Sequence, residues 1–184
     1  METSIVIAGF GGQGVLLAGQ VLAYAGMDYG RFVTWIPSYG PEMRGGTANC
    51  TVIIGDEPVG APIVARPDIA IALNQPSFDK YESLVQPGGL LVANSSLIAV
   101  ETLRDDLELV AVPANAIAEE HGTVKMLNMV LLGAMLAKRP ILPLSAVEQA
   151  LTDHLPKTKE HLLAMNLQVL QQGYQFESAV AETF

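Results

Sequence analysis

The run Gly9-Phe10-Gly11-Gly12-Gln13-Gly14 constrains this chain more than any other stretch, because it fuses an apolar segment to a second apolar segment through a tight turn. Ser4-Ile5-Val6-Ile7-Ala8 reads as a buried strand and Val15 to Ala25 as the helix after it. Gly9, Gly11 and Gly14 satisfy G-x-G-x-x-G in the strand–turn–helix setting that the motif needs. Glycines there permit the turn and let a backbone or a phosphate approach the helix start. The same glycines equally permit close packing of helix on strand with nothing bound. Cradle and packing turn both stay open on the motif alone.

A chain of 184 residues fits one domain, residues 1–184, with a full core. Half the residues are hydrophobic and the mean hydropathy is +0.34, which implies that partner chains cover some apolar surface. The longest apolar stretch, Met126 to Ala137, falls short of the ~20 residues a membrane span needs and contains Asn128, so no membrane association is expected. No basic segment precedes a cleavable apolar core, so no secretory signal is expected and the location should be cytoplasmic. The net charge of −9, with few and dispersed basic residues, argues against nucleic acid. The lone Cys50 excludes an internal disulfide, and with it any cysteine-ligated iron–sulfur cluster or zinc ribbon within this chain. His121, His154 and His161 match no zinc spacing and read as surface helix residues.

Strand candidates are Ser4–Ala8, Phe32–Ile36, Ala48–Ile54, Ile69–Leu73, Leu90–Ala93 and Leu107–Val112, several continuously apolar and so buried on both faces. Helices are expected at Val15–Ala25, Ser77–Leu84, Ala114–Glu120, Val124–Lys138, Leu144–Leu155 and Lys157–Gln172, punctuated by Pro76, Pro140, Pro143 and Pro156. Strands dominate early and helices late. The expected fold is a single α/β domain, a mostly parallel sheet flanked by helices with a helical C-terminal layer.

Independent nucleotide chemistry is poorly supported. A dinucleotide site places an acid at the end of the second strand, about 20 residues past the glycines. Here the stretch reads Val33-Thr34-Trp35-Ile36-Pro37, with Asp28 too early and Glu42 beyond a proline. No Lys-Ser or Lys-Thr follows the glycines, so the chain carries no P-loop. A second motif, Tyr39-Gly40-Pro41-Glu42-Met43-Arg44-Gly45-Gly46, connects two apolar strands. As a pure turn it leaves Arg44 unused; Arg44 can grip an anion bidentately while Gly45 and Gly46 let the group approach the backbone. Asn74 and Gln75 follow a strand and should emerge at the carboxyl edge of the sheet beside the glycine turn, with Ser77 capping the next helix.

Taken together, Gly9 to Val15, Ser38 to Cys50, Ala72 to Tyr81, Gly88-Gly89-Leu90-Leu91 and Asn128 to Ala134 resemble the gamma subunit of the 2-oxoacid:ferredoxin oxidoreductases, essentially end to end and in family order. The intact Pro41-Glu42-Met43-Arg44-Gly45-Gly46 is more similar to the 2-oxoglutarate or branched-chain branch than to the pyruvate branch. The resemblance implies a complex that oxidatively decarboxylates a 2-oxoacid, 2-oxoglutarate favoured, with coenzyme A as co-substrate, giving acyl-CoA and CO2 and passing electrons to ferredoxin. It further implies alpha and beta subunits, and a ferredoxin-like delta subunit, as partners. Thiamine diphosphate, Mg and iron–sulfur clusters would sit in those partners, because this chain has no G-D-G motif and no cysteine cluster. No residue of this chain is expected to be catalytic and none to hold a metal. Gly9, Gly11, Gly12, Gly14, Arg44, Asn74 and Gln75 become the candidates for contact with a coenzyme or a neighbouring subunit. An independent nucleotide-binding domain using the glycine turn is the alternative.

Overall fold

Two short segments, Ile69–Ala72 and Leu90–Asn94, are buried at every position, so both of their faces must be covered and they must lie inside a sheet. The computed structural model, which describes residues 2–39 and 47–181, places them there. Its strands are β1 (Glu2–Phe10), β2 (Phe32–Tyr39), β3 (Thr47–Gly55), β4 (Ile69–Ala72), β5 (Leu90–Asn94) and β6 (Glu108–Val112). The helices are α1 (Val15–Asp28), α2 (Gln75–Glu82), α3 (Ala114–Glu120), α4 (Leu127–Lys138), α5 (Leu144–His154) and α6 (Leu163–Ala181). The strand order is β2-β3-β1-β4-β5-β6. Strands β1, β4, β5 and β6 pair in parallel, whereas β3 runs antiparallel to both β1 and β2. This is a single α/β domain with a mostly parallel sheet.

Several boundaries differ from the sequence reading for physical reasons. The second strand continues past Ile36 through Pro37 to Tyr39, which is tolerated because β2 is an edge strand and a proline nitrogen on the free side owes no ladder bond. The segment expected as one helix from Val124 begins with a 3-10 turn, Val124–Met126, before α4. The last helix likewise follows a 3-10 turn, Lys157–Leu162, and extends beyond Gln172 to Ala181.

The helices are distributed unevenly. Helices α1 and α3 to α6 pack on one face around Leu22, Ile71, Met129 and Leu170. On the other face α2 alone lays Phe78 and Tyr81 over Val6, Ala70 and Leu91. Among the described residues no helix is long and apolar enough to cross a membrane; the apolar stretch from Met126 is the buried helix α4, covered from Leu127 to Leu136. His154 is a surface residue as expected, bonded to Asp28 at 2.7 Å and stacked on Tyr24 with ring centroids 4.1 Å apart, which ties the end of α5 to α1.

Helices α4 and α6 cross backbone against backbone. A Cβ on Gly133 would press on the carbonyl oxygen of Leu170, and one on Gly173 on that of Val130. Backbone cannot move aside as a flexible side chain does, so either Gly133→Ala or Gly173→Ala should cost about 3 kcal/mol. Gly30→Ala, at φ +82° but in open space, should cost only about 1–2 kcal/mol. Urea unfolding of the three variants checks this ranking.

Candidate functional site

The turn after β1 closes on its own side chain. The amide of Gln13 donates to Phe10 O at 3.2 Å, and the amide of Phe10 donates back to Gln13 Oε1 at 2.7 Å. The same Oε1 accepts from Asn74 Nδ2 at 3.2 Å, while Gln13 Nε2 faces Leu73 O at 3.5 Å. Helix α1 leaves β1 toward one face and α2 leaves β4 toward the other, so the carboxyl ends of these neighbouring strands form the switch point where open α/β sheets bind ligands. The Gln13 carboxamide spans that crevice.

The glycines divide into different roles. A Cβ on Gly9 would meet Gln13 Oε1 at 2.7 Å and Leu73 Cβ at 3.0 Å. Gly14 stands at φ +77° as the N-cap of α1, with no side-chain cap, and its carbonyl accepts from Asn128 Nδ2 at 3.0 Å. A Cβ there would collide with the Asn128 carboxamide at 2.6 Å. Gly11 and Gly12 instead form an exposed tip, and Gly12, at φ +96°, has open space around it. Gly9 and Gly14 therefore serve close approach, whereas the tip is available for contact.

Asn74 lies beside the glycine turn, at the carboxyl edge. It, and not Ser77, caps α2: its Oδ1 accepts from the Ser77 amide at 3.0 Å. An N-cap bonds an amide two or three residues onward, and Pro76 in the first turn fixes the helix start ahead of Ser77. Gln75 accepts from the Ala99 amide at 2.9 Å and donates to Asp79 at 2.8 Å, which pins the loop after β5. Arg44 and the rest of residues 40–46 lie outside the described residues.

The structure adds residues that sequence reasoning passed over. Gln13 sits inside the glycine motif yet carries the bonds that close it. Asn94 is fully buried at the end of β5, donating to Asn115 Oδ1 at 2.9 Å and lying 3.4 Å from Leu73 O. Asn128 braces Gly14 from α4. The readable signal is a carboxamide terminating or interrupting an apolar run, since such a group needs partners when buried. The edge is thus lined by neutral amides. A cleft of about 510 Å³ opens beside Gln75, between Phe78, Asp79 and Glu82 of α2 and the loop of residues 99–102. Another, of about 430 Å³, opens at the opposite, amino end of the sheet, where Arg31 pairs with Asp56 and Arg139 with Glu108.

Cys50 is buried under α1, close enough to Gly19 that any side chain there would strike the sulfur. Its Sγ lies 3.6 Å from Val15 O, and the Trp35 indole nitrogen, buried nearby, makes no regular hydrogen bond. Burial pushes the thiol up to about 11. Such a thiol stays protonated and out of reach, unlike a thiolate ligand or nucleophile. Among the described residues no three His, Cys, Asp or Glu side chains converge as a metal site.

A family model described as "Pyruvate ferredoxin/flavodoxin oxidoreductase" matches residues 4–176. The chain belongs to that family. It is 42% identical over 176 residues to the ketoisovalerate oxidoreductase subunit VorA of Methanothermobacter thermautotrophicus, covering 94% of this chain and 36% of that one. This chain thus spans about a third of the length of that relative. It is 34% identical over 178 residues to the 2-oxoglutarate synthase subunit KorC of Methanocaldococcus jannaschii, covering 95% and 94% of the two chains. The fold matches the gamma subunit of a keto/oxoacid ferredoxin oxidoreductase from Geobacter sulfurreducens, with a TM-score of 0.81, 32% identity and coverage of 96% and 99%. Within the family the chain corresponds to the gamma unit.

The independent nucleotide-binding alternative is not supported. Antiparallel β3 is inserted between β1 and β2, so the end of the second strand lies one strand farther from the glycine turn than the dinucleotide arrangement needs. The crevice itself is bridged by Gln13.

Gly12→Ala should cost about 1–2 kcal/mol through left-handed backbone strain alone. Gly14→Ala should cost more, because it adds the collision with Asn128, and thermal melts of the two variants test the order. For Cys50, the unfolded chain releases the thiol proton near 9.0 and the native chain only near 11. Between those pH values the native state holds more protons, so stability falls as pH rises, by about 3 kcal/mol at most. Relative to Cys50→Ala, the wild type should lose this increment above pH 9 and none below it in pH-dependent urea melts.

Proposed function

We propose that this chain is the gamma unit of a multi-subunit 2-oxoacid:ferredoxin oxidoreductase, supporting coenzyme A-dependent oxidative decarboxylation of a 2-oxoacid to acyl-CoA and CO2. The full-length correspondence to the KorC and gamma-subunit chains carries this reading. The likeness to ketoisovalerate and 2-oxoglutarate relatives supports the branched-chain or 2-oxoglutarate branch. Identity is higher to VorA, and 2-oxoglutarate is favoured on chain length, since this chain covers 94% of KorC and 36% of VorA. Ferredoxin as acceptor, alpha and beta subunits with a ferredoxin-like delta subunit as partners, and a cytoplasmic location belong to the same proposal and rest on the family resemblance.

This chain's own donors do not fit the redox groups that the reaction requires. A lone buried Cys50 cannot ligate an iron–sulfur cluster, and the sequence has no G-D-G motif for thiamine diphosphate with Mg. Those groups are assigned to partner chains. The part left to the gamma unit is contact, with the Gly11–Gly12 tip, Arg44 and the Gln75 region as the proposed points toward a neighbouring subunit or coenzyme A.

Rigorously purified chain given thiamine diphosphate, Mg, coenzyme A, 2-oxoglutarate and an electron acceptor should show no turnover, and adding the partner chains should restore it. Robust turnover by the chain alone would refute the assignment. Arg44→Met should leave the melting temperature unchanged while weakening assembly or raising the coenzyme A requirement; unchanged assembly and kinetics would reduce Arg44 to a turn residue.

A further inference from the structure

The sheet has one region that no helix covers. Helix α1 packs on β2 and β3 from one side, with Val33 against Gly26 and Trp35 against Gly19. Side chains alternate along a strand, so Phe32, Thr34 and Ile36 point to the opposite side. The register places Ile36 beside Thr51 and Val6, and Thr34 beside Ile53 and Ser4. On that side α2 packs on β1, β4 and β5, while the loop of residues 60–66 lines a cleft with Glu2 and Ser4 at the amino end and Asp68 accepts from the Ser4 hydroxyl, which leaves β2 and the adjoining part of β3 without cover. Phe32 is left 48% exposed and Ile36 38%, and Phe10, on the same face at the end of β1, is 37% exposed. Along the rows of β1, β2 and β3 that share this face, Glu2 is the one charged residue among those described, in a chain of net charge −9.

We infer that the face formed by Phe32, Thr34 and Ile36 of β2 with Asn49 and Thr51 of β3 is an interface for another, uncharged and apolar surface of the same oxidoreductase assembly. The inference rests on the proposed function. An uncovered patch that exposes Phe32 and Ile36 among uncharged hydroxyl and amide groups, on a chain of net charge −9, marks an interaction site, and its lack of charge selects a partner surface that is equally uncharged. The relatives supply the occupant: in VorA the matching unit is 36% of the chain, so further oxidoreductase polypeptide is covalently attached to it and needs a surface on which to pack. A second copy is the weaker occupant. Two chains of net charge −9 repel, and Pro37 removes a donor from the free edge along which two copies of β2 would pair.

The test combines the full chain with the thiamine-binding and cluster-binding chains of its complex. Hydrogen exchange of the unmodified chain should slow across residues 32–39 and 47–55 when the complex forms. Phe32→Lys and Ile36→Lys should each raise the dissociation constant of assembly at least tenfold with melting temperatures near wild type. Met27→Lys, at a more exposed apolar position on α1, should leave assembly unchanged. A complex that forms without added protection of these strands overturns the inference and leaves the function standing. A free chain that dimerises through this face, with hetero-assembly indifferent to both lysines, overturns it in favour of the second copy. Failure of the wild-type chain to assemble with those partners removes the functional reading and this interface together.

Discussion

The approach of α4 to α6 sets how deep α4 lies on the helical face of the sheet, and with it the bond that holds the start of α1. Because Gly133 and Gly173 present no side chains, each helix rests on the other's backbone, and α4 sinks into a fully buried layer. From that depth Asn128 reaches the Gly14 carbonyl and fixes the start of α1. A wider crossing would carry Asn128 away and leave both the carboxamide and the turn without their bond. Helix packing in one half of the chain thereby holds a loop more than a hundred residues away in sequence.

The glycine turn carries a motif that signals a nucleotide, yet one side chain bridges it here. In an open cradle, backbone amides face an anion at the helix start. In this protein Gln13 takes the Phe10 amide, meets Asn74 and crosses the crevice between β1 and β4. The strand insertion reinforces the change, since β3 separates β1 from β2. What stays exposed is the Gly11–Gly12 tip, with open space around Gly12.

Much of the fold was legible because burial imposes simple patterns. The continuous apolar runs of β4 and β5 could belong only to strands covered on both faces, and the span from Ala114 to Glu120 matched its helix at both ends. Boundaries failed where the decisive partner was remote. Pro37 reads as a strand end until β2 is known to be an edge, and Ser77 resembles a cap until Asn74 is seen accepting its amide. Composition implies apolar surface covered by a partner, and the single-helix cover on one face shows where such surface lies.

Residue order alone is enough for the α/β class, the tight turn after the first strand, the lack of a cysteine set for iron–sulfur chemistry and the family resemblance. Each depends on residue type and local spacing. Only the tertiary structure decided that Gln13 closes the turn, that Gly14 must be glycine because of Asn128, and that β3 enters between β1 and β2. Those features arise from contacts between residues far apart along the chain, and a local pattern does not encode which distant carboxamide or strand will arrive beside it.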